Sequence, residues 1–571
     1  MKRVIYKPLE VLSESVDFSA YPRPQMIRNS YLCLNGEWGF AVSKCADRPS
    51  SFPLTIRLPF PPESSLSGIC QTPEKGEYLH YNRIFSLPDG FIKDRVLLHF
   101  GAVDQVATVY LNGRLLGTNE GGYHPFFFDI TDYLKEENEL TVCVLDDLCQ
   151  ALPYGKQTRK RGGMWYTPVS GIWQTVWLES VPKNYIESLH ITQGCNDAII
   201  EVTTEAKEKT IVLKESGERY SFTGNSIKIS PKNPKRWTPE TPYLYEFTLI
   251  AGEDSIESYF ALREISVQQI CGIPRICLNG KPYFIQALLD QGYYPGGLFL
   301  PQTPDGYAKD ILAAKQMGYN TLRKHIKIEP MIFYHLCDRL GMIVFQDMVN
   351  NGRYSFLRDT ALPTIGLLKR NDRKMHKDLE SRKRFEDGMK NTLAHLYNCP
   401  SVLLYTIFNE GWGQFCADEM YKLAKKIDPS RIYDATSGWF WQKESDLDSL
   451  HVYFKPLKKR TPSKRPLLIS EFGGYSLRVK DHVTSPKNYG YKSFADQKEL
   501  MVALRALYLE QALPLVYEGL CGLVYTQIAD VEDETNGLLT YDRIIQKVDP
   551  LEMKAILSNF DTAYESIFKT E

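Results

Sequence analysis

Several features are missing from this sequence of 571 residues, and each absence excludes a class of protein. The amino-terminal stretch contains no apolar core of about 7–15 residues, so we expect no secretory signal. No apolar run reaches about 18 residues, so we expect no membrane-spanning segment. The 12 cysteines form no Cys-x-x-Cys pair and no Cys/His metal spacing. These absences favour a cytoplasmic protein with reduced thiols and no metal bound through sulfur.

An excess of charge of either sign is also missing. The sequence has 68 Lys and Arg against 69 Asp and Glu, so its formal net charge is −1. A nucleic-acid surface would need a basic excess, so we expect neither nucleic acid nor membrane as a partner. The longest basic cluster, at 454–465, is interrupted by prolines and is predicted to be a solvated loop. The apolar content of 43% and the charged content of 24% are typical of globular chains.

Residues 30–183 contain many short runs of the kind that form β-strands. Turn residues separate these runs, and Asn112-Gly113 is typical of a two-residue type I′ hairpin. We therefore predict a jelly-roll β-sandwich for residues 1–183. Shorter strands follow in residues 184–267, and this length suits a small immunoglobulin-like sandwich.

After Ile270 the pattern changes to alternating strands and helices. Eight predicted strands alternate with helical patterns, so we predict a catalytic (β/α)8 TIM barrel for residues 268–571. A doubly wound open sheet is the alternative, but no glycine-rich phosphate loop follows any of these strands. The predicted fold class is thus a multidomain protein of two β-sandwiches and an α/β barrel.

Two of the predicted barrel strands lead to a glutamate in similar surroundings. In "LLYTIFNEGWGQF" (403–415) an apolar run reaches Glu410, and in "RPLLISEFGGYS" (465–476) another reaches Glu471. As the fourth and seventh strands they would face each other across the barrel mouth, where such barrels carry their active sites. Two glutamates in one cleft can cleave a glycosidic bond, one as general acid and one as nucleophile or general base. The alternative is that each glutamate only caps or salt-bridges its strand end.

Longer motifs resemble a known family. "YNCPSVLLYTIFNE" (397–410) resembles the acid/base signature of glycoside hydrolase family 2, the family of β-galactosidases, β-glucuronidases and β-mannosidases. "LISEFGG" (468–474) resembles the nucleophile strand of that family, and 320–348 resembles its other signature. "SGIWQTVWLE" (170–179) and "FFFDIT" (126–131) resemble its sugar-binding jelly roll. The resemblance covers nearly the whole chain, in the usual domain order of the family.

The resemblance implies a role for each matching residue. Glu410 would be the acid/base and Glu471 the nucleophile of a retaining mechanism. Asn409 would hydrogen-bond the sugar 2-OH, an interaction that can tighten in the transition state. Arg323 would lie beside the nucleophile and keep it ionised. Tyr453 would donate a hydrogen bond to the nucleophile, although a core aromatic residue is the alternative.

Other candidate sugar contacts lie where the sequence departs from the family pattern. His325 lies in a signature that is one residue shorter than usual, and it is either a sugar contact or a packed histidine. Asp290 and Gln291, after the first barrel strand, are either hydroxyl ligands or turn-stabilising residues. Tyr525 occupies the position where the family commonly places a tryptophan platform. Trp412, in the Gly-Trp-Gly after Glu410's strand, is a further candidate for substrate binding.

The identity of the sugar is left open by the sequence. Family β-glucuronidases carry an Asn-x-Lys pair after the eighth strand, whereas here Asn536 is followed by Gly537 and Leu538. A positive charge for a uronate would then have to come from elsewhere; the candidates are Lys324, Lys327 and Arg543. A β-D-galactoside is the first expectation, chiefly because that activity is common in the family; a glucuronide, a galacturonide or another β-glycoside is the alternative. The metal ligands of longer family members cannot be placed here, so no cofactor is expected.

Three functions remain in competition at this point. The first is an exo-acting retaining β-glycosidase with a carbohydrate substrate. The second is a non-catalytic carbohydrate-binding protein with a decayed barrel, although both glutamate positions are intact. The third is an oligomeric scaffold built on the sandwiches, since a homo-oligomer is compatible with the sequence.

Overall fold

The structure is a computed structural model that describes residues 17–453, 455–458 and 463–568. The prediction for the amino-terminal stretch therefore falls mostly outside the described residues, and the predicted loop at 454–465 falls partly outside them. Separate buried apolar cores mark an amino-terminal sandwich, a second sandwich and a barrel. This arrangement confirms the predicted fold class. The boundaries 1–183, 184–267 and 268–571 stay predictions, as do the jelly-roll and immunoglobulin-like topologies.

The first sandwich packs a sheet in the order β1-β12-β5-β9 against one in the order β3-β2-β4-β10-β7-β8. Its strands are β1 (Tyr31–Cys33), β2 (Gly36–Ser43), β3 (Leu54–Leu58), β4 (Tyr78–Phe85), β5 (Arg95–Phe100), β6 (Val103–Asp104), β7 (Val106–Leu111), β8 (Arg114–Glu120), β9 (Phe126–Asp129), β10 (Asn138–Leu145), β11 (Gly171–Ile172) and β12 (Val176–Val181). Alternate residues of β7 are buried, as expected for a strand with one face on a core. The predicted hairpin is confirmed, because Leu111 pairs with Arg114 and both Asn112 and Gly113 have positive φ.

The second sandwich packs β13-β14-β17 against β16-β15-β18-β19. Its strands are β13 (Ser188–Gln193), β14 (Ala198–Thr203), β15 (Lys209–Leu213), β16 (Arg219–Phe222), β17 (Ser226–Ile229), β18 (Tyr245–Ala251) and β19 (Asp254–Phe260). A small antiparallel sheet then leads into the barrel; it consists of β20 (Ile265–Ile270), β21 (Ile273–Leu278) and β22 (Lys281–Pro282). Trp237 and residues of this sheet pack under the barrel strands and fill the end opposite the mouth.

The barrel has eight parallel strands. They are β23 (Ile285–Asp290), β24 (Thr321–Lys324), β25 (Ile343–Asp347), β26 (Val402–Asn409), β27 (Ile432–Ser437), β28 (Asp448–Val452), β29 (Leu467–Gly473) and β32 (Leu520–Thr526). A short pair, β30 (Tyr475–Ser476) and β31 (Lys492–Ser493), lies in the loop after the seventh strand. The first barrel strand, β23, pairs in parallel with the last, β32. The strands follow one another in chain order around the sheet, and β27 and β28 form its two edges, so the barrel is nearly closed. This order confirms the predicted TIM-like barrel and contradicts the doubly wound sheet.

Helices surround the barrel. They are α1 (Asp305–Gln316), α2 (Met331–Leu340), α3 (Leu362–Thr364), α4 (Leu379–Leu396), α5 (Ala417–Ile427), α6 (Gln497–Arg505) and α7 (Pro550–Phe568). Shorter 3-10 or π segments are Ser65–Ser67, Thr131–Tyr133, Leu357–Ala361, Asp372–Lys374, Ala506–Ala512 and Leu513–Glu518. Local capping fixes several ends: Asp378 accepts from the N–H of Ser381 at the start of α4, and Gly341 ends α2 with φ of +72°.

One helical stretch resembles a membrane span by length and composition. Among the described residues it is Gln497–Glu518, and 44% of its most apolar window is buried. Leu504, Tyr508 and Leu515 of this stretch belong to the barrel core. Core helices pass the same test, so this feature is weak evidence for a membrane.

Candidate active site

The two glutamates identified in the sequence meet at the carboxyl ends of the barrel strands. Glu471 lies within β29, and Glu410 is the first residue after β26. One carboxylate oxygen of each glutamate and Nδ1 of His451 all lie within 4.8 Å of one another. Retaining glycosidases hold their carboxyl groups about 5–5.5 Å apart, and inverting enzymes leave a wider gap. The spacing therefore fits a retaining arrangement.

The glycines after Glu410 make room for the chain to turn away from the strand. Gly411 has φ of +71°, and a Cβ there would lie 2.1 Å from the ring of Phe440. Gly413 has φ of +70°, and a Cβ there would lie 2.5 Å from the carbonyl oxygen of Asn351. A side chain at either position would collide with the wall of the site. The available space and the backbone conformation therefore both require glycine at positions 411 and 413.

Glu471 is surrounded by groups that favour its ionised form. Arg323 Nη1 donates to its Oε1 at 3.2 Å, and the Tyr453 hydroxyl donates to its Oε2. Burial alone would raise the pKa of Glu471, but the neighbouring His451 and the charges of Arg323 and Lys156 outweigh it and lower the pKa to about 2. Glu471 is therefore ionised at neutral pH, as a nucleophile must be.

The Arg323 guanidinium connects Glu471 to Asn409, the residue predicted to bind the sugar. Its Nε donates to Asp347 Oδ1 at 2.9 Å, and its Nη2 donates to Asn409 Oδ1 at 2.8 Å. Its Nη1 also donates to the carbonyl oxygen of Ser470 at 2.9 Å. With Glu471 included, four groups are held by one planar fork that is almost completely buried. Arg323 thus lies between Glu471 and Asn409, and the roles that the resemblance implies for these residues stay predictions.

Glu410 has different surroundings. Its side chain is 20% exposed, and its Oε1 lies 2.7 Å from Nδ1 of His451. The indole N–H of Trp439 donates to its backbone carbonyl oxygen at 2.8 Å. One carboxyl group is therefore held ionised by Arg323, while the other faces the opening of the site. Unequal environments of this kind separate an acid from a nucleophile.

His451 was missed by the sequence reasoning. It is the penultimate residue of the sixth barrel strand, β28, and lies two residues before Tyr453, so the period of a strand places both side chains on one face. Tyr453 was identified for that face, and the same alternation was the available signal for His451. The ring of Tyr453 also stacks on Tyr491, with centroids 3.8 Å apart.

Three other predicted residues are engaged inside the protein. His325 Nδ1 lies 2.6 Å from Asp347 Oδ2, and burial lowers the pKa of the imidazole to about 4. The carboxylate of Asp290 pairs with Lys324 Nζ at 2.6 Å and accepts from the backbone N–H of Gly292 at 2.8 Å. These contacts favour the packed histidine and the structural aspartate over direct sugar ligands. Gln291, the other candidate there, is also buried.

Tyr525 does not offer a free ring face. Its ring is buried among Phe472 and Tyr508, and its hydroxyl accepts from the backbone N–H of Tyr475 at 3.2 Å. The residue thus packs in the core, where an exposed sugar platform was expected.

Trp412 belongs to an aromatic cluster beside the acid/base candidate. Its ring centroid lies 4.9 Å from Trp165 and 5.5 Å from Tyr154, both in edge-to-face geometry. Trp412 and Trp165 line a small pocket together with Asn409 and Glu410. Aromatic faces of this kind suit the C–H faces of a sugar or an aglycone.

A loop of the first sandwich reaches over the barrel mouth. The hydroxyl of Tyr166 donates to Glu534 Oε2 at 2.6 Å, and the backbone N–H of Thr167 donates to Glu532 Oε1 at 2.8 Å. The acidic turn after the last barrel strand therefore holds this loop in place. The loop carries Trp165 into the site, and no local sequence signal could show it because more than 360 residues separate these bonded partners.

The same loop places the side chain of Lys156 in the site. Lys156 is half-buried and lines the small pocket with Asn409 and Glu410. Among the described residues its ammonium has no hydrogen-bond or ion-pair partner, but its charge helps to lower the pKa of Glu471. Lys156 is thus a cation of the site whose charge is available to a ligand.

The cations named from the sequence are occupied. Lys324 Nζ lies 2.8 Å from Glu329 in addition to its Asp290 contact. Lys327 Nζ lies 2.8 Å from the same Glu329 oxygen and donates to two backbone carbonyls. Arg543 pairs with Asp310 at 3.2 Å. Their charges stabilise buried carboxylates, so the idea that they bind a uronate is not supported by their contacts.

The spacing of Glu410, His451 and Glu471 would also suit three ligands of a metal ion. Glu471, however, already accepts hydrogen bonds from Arg323 and Tyr453. The guanidinium beside it disfavours a cation at this carboxylate, and we assign no metal here.

Family models match most of the chain. The model for the sugar-binding domain of glycosyl hydrolases family 2 matches residues 52–182, a second model of that family matches 179–263, and its TIM barrel domain matches 303–501. The chain belongs to glycoside hydrolase family 2. The β-galactosidase of Thermoanaerobacter pseudethanolicus is 24% identical over 70% of this chain and 54% of its own length. That of Kluyveromyces lactis is 24% identical over 67% and 40%. The chain thus spans about half the length, or less, of these curated relatives.

Solved structures share the fold over nearly their full length. A β-glucuronidase of an uncultured Clostridium species superposes with a TM-score of 0.73 at 17% identity, covering 94% of this chain and 99% of its own. A family 2 β-galacturonidase of Eisenbergiella tayi, bound to galacturonate, gives a TM-score of 0.68 at 18% identity, with 93% and 97% covered. The present chain therefore has the architecture of these two solved relatives, which are shorter than the curated β-galactosidases.

Proposed function

We propose that the protein is an exo-acting retaining β-glycosidase that hydrolyses terminal β-glycosides. The observation that carries this proposal is the convergence of Glu410 and Glu471 within 4.8 Å in unlike surroundings. Arg323 holds one carboxylate ionised, and the other faces the opening of the pocket. The sandwich loop with Trp165 covers one side of the mouth, which favours a chain end over the middle of a polysaccharide.

In the first half-reaction, a carboxylate oxygen of Glu471 attacks the anomeric carbon. The bond to the aglycone oxygen breaks, and that oxygen takes the proton of Glu410. In the second, Glu410 removes a proton from water, the water oxygen bonds to the anomeric carbon, and the ester to Glu471 breaks. Asn409, oriented by Arg323, would hold the sugar 2-OH through both transition states.

A β-D-galactoside is the first candidate substrate, since the curated relatives are β-galactosidases at 24% identity. A β-glucuronide or β-galacturonide is the second candidate, and Lys156 favours it. An ammonium without a partner, beside Asn409 and Glu410, can pair with a sugar carboxylate.

A panel of p-nitrophenyl glycosides tests the proposal. The panel contains the β-galactoside, glucuronide, galacturonide, mannoside and arabinoside. We expect turnover of at least one, with the β-anomer of the free sugar formed first in NMR spectra. Glu471→Gln should abolish it. Binding of the same glycosides without turnover would instead support the non-catalytic carbohydrate-binding protein.

A single variant separates the two substrate candidates. If a uronate pairs with the free ammonium, Lys156→Met should lower kcat/KM for the glucuronide or galacturonide by about 10-fold or more relative to the galactoside. A uniform effect on all glycosides would contradict this pairing and leave Lys156 only with its influence on Glu471. Lys160→Met, on the exposed part of the same loop, is the matched control.

A further inference from the structure

His451 lies between the two carboxyl groups. Its side chain is fully buried, and its Nδ1 is 2.7 Å from Glu410 Oε1 and 3.5 Å from Glu471 Oε2. A single ring nitrogen therefore faces both catalytic oxygens. The edge of Trp439 packs against the imidazole, with centroids 5.7 Å apart.

The other side of the ring is fixed by a cluster of hydroxyl groups. Nε2 lies 2.9 Å from Ser437 Oγ. Ser437 Oγ in turn lies 2.9 Å from Ser470 Oγ, and Ser449 Oγ lies 3.0 Å from Ser470 Oγ. A Cβ at Gly438 would come within 2.9 Å of the ring, so glycine leaves the space that the imidazole occupies. The ring orientation is thus determined by its surroundings and not by the carboxylates alone.

The position of the ring proton follows from its neighbours. An ionised carboxylate can only accept hydrogen bonds, so Nδ1 carries hydrogen whenever it bonds an ionised glutamate. Nε2 then accepts from the hydroxyl of Ser437. With the N–H directed at Oε1 of Glu410, the acidic proton of neutral Glu410 belongs on Oε2, the oxygen that must reach the glycosidic oxygen.

The retaining reaction moves a negative charge from one glutamate to the other. In the free enzyme Glu471 is ionised and Glu410 is neutral; in the glycosyl-enzyme Glu471 is a neutral ester and Glu410 is a carboxylate. Glu471 also has Arg323 and Tyr453 as donors. Within the described residues, the side chain that hydrogen-bonds the Glu410 carboxyl group is His451.

We propose that His451 is a positioning residue whose single Nδ1–H serves whichever catalytic glutamate is charged, and chiefly Glu410 in the glycosyl-enzyme. The proposal rests on the retaining mechanism above. No proton leaves the imidazole: in the second half-reaction Oε2 of Glu410 takes the proton of water while Oε1 keeps its bond to His451. Loss of this bond should therefore slow hydrolysis of the glycosyl-enzyme more than its formation.

The experiment uses the 2,4-dinitrophenyl β-glycoside of whichever sugar the wild type cleaves. This leaving group departs without protonation, so the first step no longer depends on Glu410. For His451→Leu, which has no donor, stopped-flow should show a dinitrophenolate burst with a rate constant close to that of wild type. Steady-state kcat should fall about 10- to 100-fold, the effect expected from loss of a charge-assisted hydrogen bond, and KM should fall with it.

Azide provides the second readout, because it attacks the glycosyl-enzyme without a general base. Added azide should restore turnover of His451→Leu and yield the glycosyl azide, whereas wild type should respond little. His451→Asn, whose amide nitrogen can take the place of Nδ1 and keeps an N–H donor, should recover part of kcat. His190→Leu, in the second sandwich, should behave as wild type, because its imidazole is remote from the glutamates and half-exposed.

The outcomes separate the possible failures. Burst and steady-state rates that fall together, without an azide response, would show a merely structural role and overturn the proposal. An unchanged kcat would do the same. The burst amplitude counts folded sites, so partial unfolding of the variant does not obscure the rates. Absence of turnover by the wild type would instead refute the proposed glycosidase.

Discussion

Arg323 contacts four groups of the site with one buried side chain. Its fork reaches Asp347, Asn409, Glu471 and the carbonyl of Ser470 at distances of 2.8–3.2 Å. Burial would raise the pKa of Asp347, but the guanidinium outweighs it and lowers the pKa to about 2. The geometry of Glu471, the proposed nucleophile, and of Asn409, the proposed 2-OH ligand, therefore depends on the same residue.

Arg323→Lys should lower kcat/KM on the order of 10²–10³-fold, because one ammonium cannot replace the planar fork. Glu471 must be ionised to attack, and its pKa of about 2 is depressed in part by Arg323. Loss of the fork raises that pKa, so the acid limb of the kcat/KM profile should move to higher pH. An unchanged acid limb would contradict this account. Arg219→Lys, on an exposed strand of the second sandwich, is the control.

A substitution of Lys324 tests whether the buried ion cluster behind the site, formed by Asp290, Lys324, Lys327 and Glu329, stabilises the protein. Lys324→Met leaves Asp290 and Glu329 without their shared cation in a buried setting. We expect urea unfolding to show a loss of about 3–5 kcal/mol. Lys390→Met, which removes an exposed partner of Glu386 on α4, should leave the unfolding curve unchanged. Equal effects of the two variants would argue against a cluster that stabilises the barrel.

Among the elements, the turn after β26 decides where Glu410 points. Glu410, Gly411 and Gly413 all have positive φ, so three residues of the turn adopt the left-handed region. Two of them are glycines whose Cβ positions are occupied by Phe440 and Asn351. The direction of the acid/base is thus set by backbone conformation as well as by His451.

Gly411→Ala should displace this turn. The change adds a Cβ 2.1 Å from Phe440, and a misplacement of about 1 Å can cost roughly 10²-fold in rate. Gly217 has a similar φ of +69°, but a Cβ there would have no atom within 4 Å. Gly217→Ala therefore measures only the loss of stability caused by a left-handed backbone at a residue with a side chain, about 1–2 kcal/mol. We expect kcat to fall in the first variant only. Thermal unfolding of both, compared with kcat, checks this.

The barrel could be predicted from the sequence because each strand is an apolar run between helical patterns. The two glutamates could be identified because both follow such runs. His451 was missed although strand alternation with Tyr453 pointed to it. Tyr525 and Asp290 were expected to meet the sugar, but the sequence cannot show that neighbours across the barrel already occupy their faces and oxygens.

At the level of the whole molecule, several signature residues join domains. Asn398 Nδ2 donates to the carbonyl of Leu189 at 3.0 Å, and its Oδ1 accepts from the N–H of Ile191 at 2.7 Å, both on β13. Asp338 accepts from the Tyr259 hydroxyl at 2.8 Å. Contacts between residues so distant in sequence have no local pattern, which is why Lys156 and Trp165 could not be found without the structure.

Tyr166→Phe tests the link between the first sandwich and the barrel. The change removes the 2.6 Å hydrogen bond to Glu534 and loosens the loop that carries Lys156 and Trp165. We expect KM to rise several-fold with a smaller change in kcat, because the glutamates stay on the barrel. Tyr110→Phe, on β7 of the same sandwich, should not change KM. A fall in kcat at constant KM would place the role of Tyr166 in the chemistry instead.

The loop over the barrel mouth separates two tasks within one cavity. Under the proposed function, bond cleavage belongs to the glutamates at the strand ends, whereas substrate selection depends partly on side chains from the first sandwich. Substitutions at 156–165 can therefore retune which glycosides are accepted while the chemical centre stays intact. A library confined to that loop, screened on several sugars, would be an economical route to altered selectivity.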